Sequence, residues 1–239
     1  MEALKKREEK VLEMGKFKDF SALSRNKQKE NDLNLLRNIT ISTIIFGLSE
    51  MQVNGLKHIE SSLAPIIGKS STGISAALIG EDLNSFFHGR INEDEYISRT
   101  IRKNGWKVEI PVVRSIIHEN FKELESIREL LVRLKKQGFK LGLLSIHPKE
   151  WIEYNSTKFD YHRFFDAILY SFEAELSKPN KKAYEIILEK LDSKPEECIF
   201  VDDNRANLNP ARELGMKTVF FESASQIESE FRKIGLFKE

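Results

Sequence analysis

Two aspartates, Asp202 and Asp203, close the apolar run Cys198-Ile199-Phe200-Val201, and other apolar runs end near a hydroxyl and an ammonium. Ser145 closes Phe139 to Ser145, and Lys178 lies in the loop that follows Ala167 to Tyr170. In open α/β sheets ligands collect beyond the carboxyl ends of the strands, so these endings are where chemistry is expected. A phosphomonoester bound through Mg²⁺ needs such a set. The Ser145 hydroxyl can donate to a phosphoryl oxygen, Lys178 can neutralise charge, and Asp203, helped by Asp202, offers hard oxygen ligands to the metal. Each residue alone has a plainer use: Ser145 as the cap of a helix that Pro148 begins, Lys178 as a solvated surface lysine, the acidic pair as an N-cap. Their order at successive strand ends favours the joint site.

The elements that must position these residues are readable from periodicity. Thr40 to Phe46 is a β-branched run of strand length followed at once by Gly47. The runs Phe139 to Ser145, Ala167 to Tyr170, Cys198 to Asp202 and Lys217 to Phe221 supply four more strands, separated by helical patterns. Phe121, Leu124, Ile127, Leu131 and Leu134 recur at helical spacing before Gly138, a stop signal. Pro148, Pro179 and Pro210 stand where helices are expected to begin, because the first turn tolerates a residue without an N–H. Alternating strands and helices over residues 121–239 predict an α/β fold: a doubly wound parallel sheet with right-handed crossovers. Residues 55–115 break the alternation. Leu56 to Ile67, Glu81 to His88 and Asn92 to Lys103 look helical, with turns at Gly68 to Gly73 and Gly89-Arg90, which predicts an inserted α-helical cap. The division expected is thus an N-terminal helical arm and linker over 1–38, a core over 39–54 and 116–239, and the cap over 55–115. Phe86, Phe87 and Trp106 could line a specificity pocket, but the cap's own core is the commoner use.

Bulk properties limit the classes. The chain has 239 residues, 40% hydrophobic and 31% charged, enough for one sizeable core and too polar for a membrane protein. No apolar stretch reaches the roughly 18 to 20 residues that span a bilayer, and the charged start, Met1 to Lys10, is unlike a secretion signal. With 38 basic and 37 acidic residues and a net charge of +1, there is no electrostatic footprint for nucleic acid. The single cysteine, Cys198, has no intramolecular partner and fits a small core position on a strand, consistent with a cytoplasmic setting. The sequence is silent on oligomeric state.

Ser177-Lys178-Pro179-Asn180-Lys181 and Cys198-Ile199-Phe200-Val201-Asp202-Asp203-Asn204-Arg205-Ala206-Asn207, continuing through Ala211-Arg212-Glu213-Leu214-Gly215-Met216, resemble the haloacid dehalogenase-like hydrolase superfamily. The resemblance covers residue 40 to about 222 and is closest to the phosphatases with a small helical cap, which implies a Rossmann-like core. By this resemblance Lys178, Asp202 and Asp203 match the third and fourth motifs, and Asn207 matches an asparagine that braces the acidic loop. The first motif of that family is an aspartate ending strand one and a second aspartate two residues on. The first carboxylate attacks phosphorus and binds Mg²⁺; the second protonates the leaving oxygen and then activates water. Here Gly47 and Ser49 occupy those positions, and Ile146 followed by His147 departs from the second motif. Loss of an attacking carboxylate costs on the order of four to six powers of ten in rate. Glu50 and His147 are the substitutes within sequence reach, although a histidine here more often caps a helix or lies on the loop surface. Losing one anionic ligand also leaves Mg²⁺ held weakly, or lost. The expectation is a phosphatase-like protein of impaired catalysis that binds a small phosphorylated ligand or a protein partner. The alternative is an active Mg²⁺-dependent hydrolase of a small phosphorylated metabolite, working through a substitute carboxylate.

Overall fold

The computed structural model describes residues 40–47, 53, 55–174, 176 and 178–237. The expected arm over 1–38, and Ser49 and Glu50, lie outside the described residues. Five short strands form the sheet: β1 Thr43–Phe46, β2 Lys140–Ser145, β3 Ala167–Tyr170, β4 Cys198–Asp202 and β5 Lys217–Phe220. Their order is β3-β2-β1-β4-β5, and every pairing is parallel. Parallel strands buried on both faces need continuous apolar runs, which is what β1 (Thr-Ile-Ile-Phe) and β4 (Cys-Ile-Phe-Val) supply, with all their residues buried. Cys198 is among them, and burial pushes its thiol pKa up to about 12. The expected strands are all present, trimmed by up to three residues at an end.

Between β1 and β2 the chain forms α1 Glu60–Ile67, α2 Ser71–Leu78, α3 Glu81–Phe87, α4 Glu93–Asn104, α5 Ile110–Asn120 and α6 Glu125–Lys136. Residues 68–73 are not simply a turn, as their composition suggested. Gly68 ends α1 at φ 69°, and the Ser70 hydroxyl then accepts from Gly73 N at 3.3 Å, capping α2. Residue 115, the expected end of the cap, falls inside α5. Helix α6 buries Ile127, Leu130, Leu131 and Leu134 on one face, and Gly138 follows at φ 85°. Phe86 and Trp106 are buried, whereas Phe87 is half-buried.

After β2 come α7 Lys149–Lys158, a 3₁₀ turn at Tyr161–Phe164, α8 Ser171–Ala174 following β3, and α9 Lys181–Leu191. A second 3₁₀ turn, Pro195–Glu197, leads into β4; α10 Arg205–Glu213 and α11 Ala224–Lys233 flank β5. Pro148 directly precedes α7 and Pro179 comes just before α9, but Pro210 lies inside α10. The reason is a stronger start six residues earlier: Asn204 Oδ1 accepts from Ala206 N at 3.0 Å and fixes the first turn. One glycine sets how α9 approaches the sheet. A Cβ on Gly142 of β2 would lie 2.7 Å from Leu191 Cδ1 and 3.2 Å from Ile45 Cγ1, so a larger residue there requires the buried Leu191 side chain of α9 to shift.

Candidate active site at the carboxyl edge of the sheet

Neighbouring strands β1 and β4 run in register, with Phe46 beside Val201, and both reach the same edge. Gly47 continues β1 by donating its N–H to Val201 O at 3.1 Å, and it is buried. One strand over, β4 ends in Asp202, only 1% exposed. The carboxylate is heavily engaged: Oδ2 accepts from Lys178 Nζ at 2.5 Å, and Oδ1 accepts from Asn204 N at 2.9 Å and Asn207 Nδ2 at 2.8 Å. Three of its roughly four acceptor sites are therefore taken. Asn207 is itself held, because the Tyr184 hydroxyl donates to Asn207 O at 2.6 Å; burial, then the nearby Asp202 charge, raises the Tyr184 pKa. Lys178 is not a surface lysine. Its side chain is 6% exposed and its ammonium lies 5.7 Å from the centre of the Phe200 ring.

Ser145 does not cap α7, whose N-cap Pro148 offers no side-chain bond. Its Oγ lies 2.9 Å from His147 Nδ1, and both residues are buried. His147 is thus neither a surface nor a capping residue. Its backbone turns inward, the N–H donating to Ser171 Oγ at 3.2 Å, and its ring faces Phe87 with centroids 6.1 Å apart. Burial, and then the positive charge of Lys178, lower its pKa to about 3, so the ring is neutral at pH 7. A neutral imidazole that accepts the Ser145 proton removes that hydroxyl as a donor; one that donates through Nδ1 leaves the hydroxyl proton for a ligand.

Asp203, the next residue, lines a cavity of about 500 Å³ with Lys57, His58, Glu60, Phe87 and Trp151. It also lines a second of about 400 Å³ with Lys57 and Glu222. Among the described residues no group of three or more His, Cys, Asp or Glu side chains is placed to hold a metal ion. Gly47 contributes no carboxylate, and Asp202 is paired with Lys178.

Sequence reasoning missed Ser171, which joins three segments by donating to Phe87 O at 2.8 Å while accepting from His147 N. Its place directly after β3 was the available signal. It also missed Glu93, whose Oε1 accepts from Trp151 Nε1 at 2.7 Å and lies 2.8 Å from His118 Nε2, while Oε2 pairs with Arg114 Nε at 3.2 Å. This cluster ties α4 and α5 to α7, the helix that follows the Ser145 strand. Nothing in local pattern marks Glu93 as buried.

The model of haloacid dehalogenase-like hydrolases matches residues 57–221. Pyrophosphatase PpaX of Bacillus mycoides (strain KBAB4) is 34% identical over 193 residues, covering 75% of this chain and 82% of that protein. A HAD family enzyme from Bacteroides thetaiotaomicron has the same fold, with a TM-score of 0.67 at 17% identity over 81% of this chain and 99% of the other. A variant of that enzyme with alanine in place of one aspartate, in complex with magnesium and inorganic phosphate, gives 0.63 at 18% identity over 77% and 95%. No helix among the described residues is long and apolar enough to cross a membrane. Five parallel strands and the matched 57–221 agree: the chain belongs to the haloacid dehalogenase-like hydrolase family.

Proposed function

We propose that this protein binds a small phosphorylated ligand at the carboxyl edge of its sheet and has lost ordinary phosphatase turnover. The observation that carries this is Gly47. It sits buried at the end of β1, beside the Asp202 strand, where an attacking carboxylate would have to project, and it has no side chain. His147 does not replace it. The residue is 2% exposed, with Nδ1 2.9 Å from Ser145 Oγ and one face of its ring against Phe87, so burial rather than basicity keeps it from in-line attack on phosphorus. Ser145 and Lys178 supply the donors for a phosphoryl group, and the helices between β1 and β2 act as a cap over the Asp203 cavity.

Mg²⁺ is held weakly or not at all, through Asp203 and water, because Asp202 is spoken for and position 47 contributes nothing. The alanine variant of the Bacteroides enzyme supports the binding half of the reading: there a HAD fold missing one aspartate is in complex with magnesium and phosphate. The test is a phosphomonoester assay with Mg²⁺ beside thermal unfolding with phosphate or vanadate. The expected result is no turnover together with stabilisation by the anions. Turnover that disappears on Asp203→Asn overturns the reading.

A second reading rests on the 34% identity to a pyrophosphatase. In it the chain is an active Mg²⁺-dependent hydrolase that uses a substitute carboxylate, for which Glu50 is the nearest candidate. Trapping a phosphoenzyme that Glu50→Gln abolishes would establish it.

A further inference from the structure

The cavity of about 500 Å³ that Asp203 lines is far larger than a phosphoryl group. At roughly 30 Å³ per water it has room for on the order of fifteen, of which the phosphoryl oxygens displace only a few. The remaining space belongs to whatever the phosphoryl group is attached to, and the walls fix its chemistry. Leu78, Ile79, Leu83, Phe87 and Trp151 line it together. Trp151 offers no donor there, because its Nε1 is already engaged, donating to Glu93 Oε1 at 2.7 Å. Phe87 meets the Trp151 ring edge-on, with centroids 5.9 Å apart. The first-turn acid of α3 adds no charge to this wall: Asp82 pairs with Arg99 and Lys103 of α4. Glu60 and Asp203 are the carboxylates of the lining, so a second anionic group would meet them or carbon and lose its water for little in return.

The apolar wall is held in one arrangement and reaches the phosphoryl side. The buried Tyr96 hydroxyl donates to Leu78 O at 2.8 Å, which pins the end of α2. Tyr96 stacks on Phe86 with centroids 5.3 Å apart, and Phe86 meets Trp151 edge-on at 5.2 Å. Phe87 in turn faces the His147 ring at 6.1 Å, and His147 Nδ1 lies 2.9 Å from Ser145 Oγ. One aromatic surface thus runs from the cavity to the Ser145 hydroxyl, and Asp203 belongs to the cavity itself. Ile79 is 70% exposed. A lone exposed isoleucine is ordinary, but this one continues the wall that half-buried Leu83 and Phe87 form, where an apolar ligand would cover it.

We propose that the ligand is a phosphate monoester of an apolar alcohol, its hydrocarbon body seated against Leu83, Phe87 and Trp151 with Ile79 at the rim and its phosphoryl end toward Ser145 and Asp203. The proposal rests on the phosphate-binding reading above and narrows it to ligands with one anionic end and one apolar end. Sites for small ligands are commonly built this way, with carbon walls supplying affinity and a few polar groups fixing orientation.

Calorimetric titration of the full chain with methylphosphonate and hexylphosphonate, whose P–C bonds a phosphatase does not cleave, tests it. Each buried methylene is worth up to about fourfold in affinity, so after the cost of ordering the chain hexylphosphonate should bind at least about tenfold tighter. In Ile79→Ser/Leu83→Ser that ratio should fall below about threefold, and Ile79→Ser alone, at an exposed position, should lower it at least about twofold. Asp203→Asn should alter the affinity of both phosphonates. Equal affinities for the two phosphonates in the parent, each altered by Asp203→Asn, overturn the apolar body and leave the phosphate-binding reading standing. A preference for hexylphosphonate that survives both serine variants places the chain elsewhere and overturns the proposal. If 1-hexanol binds as tightly as hexylphosphonate and Asp203→Asn changes neither, the cavity takes no phosphoryl group, and the phosphate-binding reading falls with the proposal.

Discussion

Strands β1 and β4 lie side by side, run in register and end at the same edge, yet their endings are opposite in kind. β4 ends in a carboxylate with three hydrogen-bonded partners, one of them a buried ammonium. β1 ends in a glycine. The contrast separates two reasons for keeping a residue. A buried ion pair is costly to break from one side, so Lys178 and Asp202 are held by folding energetics whether or not any chemistry survives. A nucleophile earns no such protection, because its side chain points at a ligand and leaves the scaffold intact when it goes. The family likeness of Lys178 and Asp202 is consequently evidence for the fold, and position 47 bears on the reaction.

The largest expected effect lies on the β4 side. Asp202→Ala strands the Lys178 ammonium in a buried position and removes the acceptor for Asn204 N and Asn207, so it should lower unfolding free energy by about 3–5 kcal/mol. Urea unfolding measures this, and a loss under about 1 kcal/mol would mean that the pair is not structural. The β1 side should respond in activity instead. Gly47→Asp with Ser49→Asp places a carboxylate beside the Asp202 strand and supplies an acid two residues on, and should raise phosphomonoester turnover on the order of a hundredfold over the parent. The same variant should need Mg²⁺ for full thermal stability, since it brings like charges together. If it folds, gains that Mg²⁺ dependence and remains inert, Ile146 or the helices over the site have closed it as well.

The strands were legible because a parallel sheet buried on both faces demands continuous apolar runs, which stand out in a chain otherwise rich in charge. Ser145 and Asp202 stood out for the related reason that polar residues at the ends of such runs are few, and Lys178 by its place in the loop after the third run. What escaped was direction. The side chain of Ser145 turns to His147, and that of Glu93 turns inward to Trp151 and His118, through contacts 58 and 25 residues apart in sequence. Helix α2 escaped because Ser-Thr-Gly composition signals a turn, while the Ser70 cap that starts the helix uses the same residues. Pro210 misled in the same way: proline marks where a helix can begin, and Asn204 had already begun it.

His147 offers a comparison within the second motif, where the resemblance weakens. Its pKa is lowered from 6.5 to about 3, so between these values the unfolded chain binds a proton that the folded chain does not. Stability then rises with pH through that window, by up to about 1.4 kcal/mol per pH unit from this group alone, and the contribution is lost as the solution is acidified from pH 6.5 toward 3. His147→Asn should flatten the slope of unfolding free energy between pH 6 and pH 4 by roughly this amount, as read from urea melts at several pH values. An unchanged slope would place the imidazole in contact with water.

The smallest effect belongs to the outer layer of the β4 network. Tyr184→Phe deletes the hydroxyl that donates to Asn207 O and leaves the ring, which packs edge-on to Phe200 with centroids 5.1 Å apart. The lost bond should cost about 0.5–1.5 kcal/mol. Were Asn207 only a bystander, that cost would add to the cost of Asn207→Ala. Because Tyr184 holds Asn207 by its carbonyl while Asn207 holds Asp202 by its amide, the two substitutions should instead couple. A double-mutant cycle returning an interaction energy near zero would mean that the Tyr184 hydroxyl does not position the Asn207 amide against Asp202.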